Sequence, residues 1–156
     1  MEMLEDEPPI NLDDRTWKIF SRNPIKPPHY VSETAEISNA YITDGCEIAG
    51  KIEHSIIFES VIIEEGAEVR ESIILPGARV CKGARLDKAI IGENTVVGEN
   101  SSIGAGDGTA DFLNTKICSN DICVVGEDLT IGDNVKIGKN AMVDRDVLDI
   151  DLKALF

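Results

Sequence analysis

The chain has 156 residues, enough for one domain of ordinary size, and 42% of them are hydrophobic while only 4% are aromatic. A formal net charge of −14 supplies no basic stripe for a phosphate backbone or an anionic lipid surface, so nucleic acid and membrane are poor partners. No apolar run approaches the ~18 to 20 residues of a spanning helix, and the chain starts acidic rather than with a basic, apolar secretion signal, which points to the cytoplasm.

Residues 1–36 carry acidic clusters and the prolines Pro8, Pro9, Pro24, Pro27 and Pro28, and read as a leader or linker. Within it, 13–20 can form one or two helical turns that lay Trp17 and Phe20 over an otherwise open strand edge.

From residue 37 the sequence repeats every 17 residues: Ile57, Ile74 and Ile91 form one series, Ile63, Val80 and Val97 a second, and Val69, Leu86 and Ile103 a third. Inward aliphatics spaced 6, 6 and 5 describe a three-sided coil. A repeat this short cannot bury its own apolar edge, so successive turns must stack on one continuous core. The fold class expected is all-β, a parallel β-helix over 37–145.

Three places after a core aliphatic stand Gly45, Gly66, Gly77, Gly83, Asn94, Asn100, Asp128, Asn134 and Asn140, the residue types that tolerate a positive φ at least cost. The next slot is small, as at Cys46, Ala67, Ala78, Ala84, Thr95, Ser101 and Ala141, because a triangle narrows at its vertices; Leu129 and Val135 depart from this. The five-residue sides lack the Gly or Asn and place Ser55, Ser72 and Ala89 in the small slot, so their corners are expected to turn differently.

Residues 104–122 break the register and read as a loop leaving one corner. Their Gly-rich start has neither the strand-then-helix setting nor the Lys of a phosphate cradle. Residues 146–156 read as a C-terminal cap. The cysteines at 46, 81, 118 and 123 have no C-x-x-C pairing and read as reduced structural thiols, with no metal site.

The period also sorts the charges. It sets Lys82 between Glu65 and Glu99, Arg85 beside Glu68, Arg70 beside Asp87 and Lys88 beside Glu71, a solvated set of ion pairs. Arg79 has only Ile62 and Val96 in its column, so it is the candidate for binding an external anionic effector. Tyr41, Ile56, Ile73 and Ile90 precede core residues and point outward, with Phe58 and Leu75 bordering them. Such a stripe marks a domain or subunit interface.

The hexads, plainest at Val125-Gly126, Ile131-Gly132 and Ile137-Gly138, resemble the hexapeptide-repeat family, which implies left-handed coiling. The run Leu12-Asp-Asp-Arg-Thr-Trp-Lys-Ile-Phe-Ser-Arg-Asn-Pro-Ile-Lys-Pro-Pro-His-Tyr30 resembles the segment that joins the catalytic and C-terminal domains of bacterial glucose-1-phosphate adenylyltransferases. The similarity continues through Ser55-Ile-Ile, Ser72-Ile-Ile-Leu-Pro, Lys88-Ala-Ile-Ile and Asp121-Ile-Cys-Val-Val.

The resemblance implies an enzyme that makes ADP-glucose and pyrophosphate from ATP and glucose 1-phosphate with Mg²⁺, for glycogen or starch synthesis. That family's nucleotide-binding loop lies in an N-terminal α/β domain with no counterpart here. The chain is therefore expected to be the C-terminal domain alone, without catalytic residues, cofactor or activity of its own. By the same resemblance it docks on the catalytic domain of its own chain, assembles a homotetramer and contributes to a sugar-phosphate regulatory site. Relatives place a Lys or Arg where this chain has Glu93, and a regulatory Lys of plant relatives aligns near Gly126.

Two alternatives stand beside this reading. One is a non-catalytic regulatory subunit of the same enzyme. The other is a hexapeptide-repeat acyltransferase, which needs a His base; His29 falls in the leader and His54 at a coil corner.

Overall fold

The computed structural model describes residue 16, residues 25–105 and residues 120–148. Among these every regular element is a strand, and the strands wind into a left-handed parallel β-helix of about six turns. One face is built from Tyr30–Val31, Glu47–Ile48, Ile62–Ile63, Arg79–Val80, Val96–Val97 and Thr130–Ile131, paired in that order. The other two faces join in a single sheet, because Glu36–Ile42 and Lys51–Ile57 run unbroken around the corner between them.

The register obeys the period read from the sequence. Ile57 pairs with Ile74 and Ile74 with Ile91; Ile63 pairs with Val80 and Val80 with Val97; Val69 pairs with Leu86 and Leu86 with Ile103. All nine of these side chains are buried. Each such aliphatic removes enough apolar surface from water to contribute roughly 1.5–3 kcal/mol, and among the described residues no aromatic side chain is part of the buried core.

The nine Gly, Asn and Asp corners all have positive φ, between 53° at Asn94 and 75° at Gly45 and Gly66. The five-residue corners correct the expectation that they turn differently. Asn39, His54, Glu71 and Lys88 sit there at φ of 46° to 49°, so left-handed backbone is used without glycine. Ser60 does the same at φ 58°.

Parallel pairing begins at Tyr30 with Glu47, ahead of residue 37, because two strand residues are too few to show a hexad. After the interruption it resumes at Cys123, which pairs with Ala89. That 34-residue offset is one 17-residue period plus a 17-residue insertion, so the coil leaves and re-enters without losing phase. At the C-terminal end Val147 is buried and bridges to Ile131. The expected contacts of Trp17 and Phe20, the residues 149–156 of the cap, and Cys118 lie outside the described residues.

Candidate docking face

The three faces differ in what they turn outward. On the face that contains Lys51 and Arg85, outward residues alternate in sign along two columns: Glu36, Lys51, Glu68 and Arg85 in one, Glu53, Arg70 and Asp87 in the other. Four contacts link neighbouring rungs: Lys51 to Glu36 at 3.6 Å, Arg85 to Glu68 at 3.8 Å, Arg70 to Glu53 at 3.6 Å, and, at the adjoining corner, Lys88 to Glu71 at 3.7 Å. These exposed pairs contribute about 0–1 kcal/mol each. Arg70 does lie opposite Asp87 in register, yet its nearest carboxylate is Glu53 on the preceding rung. Lys82 forms no ion pair among the described residues, and its backbone N–H donates to Glu64 at 3.0 Å instead.

Arg79 is corrected from unpaired cation to paired one. Its column neighbours are Ile62 and Val96, as the period requires. Glu64 reaches it diagonally, since Glu64 lies opposite Cys81 and Arg79 stands two residues before that thiol. Nε of Arg79 donates to Glu64 Oε1 at 2.8 Å, and this hydrogen bond holds the guanidinium above its ordinary pKa. Diagonal neighbours on a sheet lie within reach of long side chains, a relation that column counting misses. A shallow depression beside the pair is lined by Tyr30, Glu47, Ile62, Glu64 and Arg79.

The remaining face carries the apolar stripe. Tyr41 pairs with Ile56, Ile56 with Ile73 and Ile73 with Ile90, all outward, with Phe58 and Leu75 at the border. Tyr41 and Phe58 are 39% and 38% exposed, and the isoleucines and Leu75 are half-buried by their neighbours alone. The stripe continues through Val124, opposite Ile90, and Met142, opposite Val124. Neither was singled out from sequence. Doubling the period across the insertion, from 90 to 124, would have found the first, while the 18-residue last turn hides the second.

The Nδ1 of His54 is engaged with Asn39 Nδ2 at 3.0 Å on the coil corner, and His29 is exposed. Among the described residues no group of three His, Cys, Asp or Glu is placed to hold a metal ion, and no helix is long and apolar enough to cross a membrane. Cys46 and Cys81 are free thiols.

A three-sided coil of hexads, capped by left-handed corners and bearing one apolar flank, defines a hexapeptide-repeat β-helix. Residues 27–125 match the family model described as GlmU-like, C-terminal hexapeptide, and the chain belongs to that family. It is 44% identical over 79 residues to the glucose-1-phosphate adenylyltransferases of Bacillus mycoides (strain KBAB4) and Bacillus anthracis, a match covering 51% of this chain and 21% of those enzymes. The matched region thus spans about a fifth of the curated relatives' length. Among solved structures, the acetyltransferase domain of PglB from Neisseria gonorrhoeae FA1090 aligns at TM-score 0.56 and 21% identity, over 80% of this chain and 53% of that one, a likeness of fold.

Proposed function

We propose that this β-helix is the C-terminal assembly and regulatory domain of a glucose-1-phosphate adenylyltransferase, seated against the enzyme's nucleotide-binding domain through its apolar face. The observation that carries the reading is the continuous outward stripe from Tyr41 to Met142 on a chain similar to that enzyme over 79 residues. The parent reaction converts ATP and glucose 1-phosphate to ADP-glucose and pyrophosphate in glycogen synthesis, in a cytoplasmic homotetramer. In this reading the Mg²⁺ and the reacting groups belong to the nucleotide-binding domain, and the β-helix's own residues position and hold the parts that react.

A sugar-phosphate effector at Arg79 would have to displace Glu64 from the guanidinium. The regulatory reading therefore predicts that Glu64→Gln raises effector affinity and Arg79→Ala removes it.

The test is a chimera in which this chain replaces the β-helix of the Bacillus cereus adenylyltransferase. ADP-glucose formation and tetramer assembly are expected, and both should fail in the same chimera carrying Ile73→Asp with Ile90→Asp. Wild-type behaviour of that double variant would remove the apolar face from the account. ADP-glucose formation by the isolated chain would refute its role as a non-catalytic part.

A further inference from the structure

The apolar face has two unlike borders. Along the corner shared with the charged face, charges are matched within the chain: Glu71 with Lys88 at 3.7 Å and Asp121 with Lys139 at 3.0 Å, while His54 is engaged with Asn39. Along the opposite corner, Asp44, Glu59, Pro76, Glu93 and Glu127 stack rung on rung. Backbone bonds fix that column: Ser60 N to Asp44 O at 3.2 Å, Gly77 N to Glu59 O at 2.9 Å, Asn94 N to Pro76 O at 2.9 Å and Asp128 N to Glu93 O at 2.7 Å.

Among the described residues, bases stand only at the two ends of this border. Lys26 packs beside Gly45 at one end, and Arg145 pairs with Asp144 at the other. Next to Glu127, Asp128 adds a further carboxylate, whose Oδ1 accepts from the Asn94 amide at 3.0 Å. None of the ion pairs among the described residues involves Glu93, Glu127 or Asp128.

We infer that the surface covering the apolar face is an apolar ridge bordered on one side by Lys and Arg, seated so that this basic border lies over Glu93, Glu127 and Asp128. The inference rests on the docking reading above and specifies its partner. Covering Ile90, Val124 and Met142 brings these carboxylates to the rim of the contact, where partial loss of water makes an unmatched charge unfavourable and a matched one favourable. Because the other border is already neutral, only one of the two opposed seatings of such a ridge satisfies the acids. The asymmetry fixes orientation. A second copy of this chain, turned about an axis lying across the stripe, would set the acidic border against itself.

The probe is a pair of short fluorescein-labelled amphipathic peptides with the same leucine edge, one bordered by lysine and the other by glutamate, titrated into the full chain by anisotropy. The lysine peptide should bind, and weaken by about ten-fold or more between roughly 50 and 300 mM NaCl. The glutamate peptide should bind at least about ten-fold more weakly, as should the lysine peptide on Glu93→Lys with Glu127→Lys. The control pair Glu47→Lys with Glu68→Lys, off this border, should stay within about two-fold of wild type. Circular dichroism checks that each variant keeps its strand signal.

If the border and control reversals have equal effects, or the lysine peptide fails to bind, the basic partner is overturned while the docking reading stands on the chimera. If Ile73→Asp with Ile90→Asp binds the peptide like wild type, the probe is not on this face and the inference falls. A dimer in sedimentation that the same double variant dissolves would make a second copy the occupant and overturn it as well.

Discussion

The Oγ of Ser55 accepts the backbone N–H of Ser72 from the next coil at 3.2 Å and donates to the Glu53 carbonyl of its own coil at 2.8 Å. Ser72 repeats the arrangement one rung on, accepting Ala89 N–H at 3.0 Å and donating to Arg70 O at 2.6 Å. The corner backbones also meet directly, Glu71 N–H donating to Glu53 O at 3.0 Å and Lys88 N–H to Arg70 O at 3.1 Å, and the hydroxyl takes up the N–H that follows each of these. Ser72→Ala strands the buried Ala89 N–H and should cost about 1–3 kcal/mol, measured as a shift in the urea midpoint at unchanged slope. Ser72→Cys, which keeps a weak donor and acceptor at that position, should lose less.

Two corner glycines separate backbone freedom from space. Gly66 has φ +75° and its added Cβ would find nothing closer than Gly83 N at 3.8 Å; Gly104 has φ +83° and its Cβ would lie 1.8 Å from the Asp87 carbonyl oxygen. Gly66→Ala should therefore cost only the left-handed penalty of about 1–2 kcal/mol. Gly104→Ala must also move a neighbouring coil's backbone and should exceed it by at least ~2 kcal/mol. Equal midpoints for the two variants would mean that the coil stack yields where the structure shows it tight.

How much of this was legible depended on what each residue type advertises. The core columns were open to reading because β-branched residues recur at a fixed period and a one-residue slip would turn them out to solvent. The Gly, Asn and Asp corners were equally plain, since those types accept positive φ cheaply. His54, Glu71 and Lys88 were not, because nothing in a histidine, glutamate or lysine signals left-handed backbone; the flanking coils impose it. The Arg79–Glu64 pair was hidden because it crosses a rung diagonally, Val124 because the insertion masks its period, and Met142 because the last turn is one residue longer. The outward stripe was legible up to Ile90 by alternation alone.

Asp121 gives a pH prediction with a definite sign. Its hydrogen bond and charge attraction to Lys139, at 3.0 Å, hold the carboxyl below the ordinary carboxylate value. A group depressed in the folded state contributes stability above its unfolded pKa, and that contribution disappears as pH falls through the folded value. Since the carboxylate is exposed, the effect on overall stability is small and is better read locally. Carboxyl carbon NMR should show Asp121 titrating below a free aspartate, and Lys139→Met should bring it back toward the ordinary value.

The thiol of Cys81 reports on the same diagonal pair from a third side. Burial raises its pKa first, the Glu64 carboxylate raises it further, and the Arg79 guanidinium opposes both. Only the thiolate attacks an alkylating reagent, so Cys81 should react with iodoacetamide at neutral pH more slowly than a free cysteine. Removing the carboxylate charge with Glu64→Gln should speed the reaction, and removing the guanidinium with Arg79→Met should slow it, opposite changes that a mere loosening of the coil would not produce. Cys46, fully buried and also raised by desolvation, serves as the internal reference and should stay the slower of the two in every variant. Mass spectrometry of the two cysteine peptides over time gives both rates from one sample, and a rate for Cys81 indifferent to both substitutions would show that Glu64 and Arg79 do not reach it in solution.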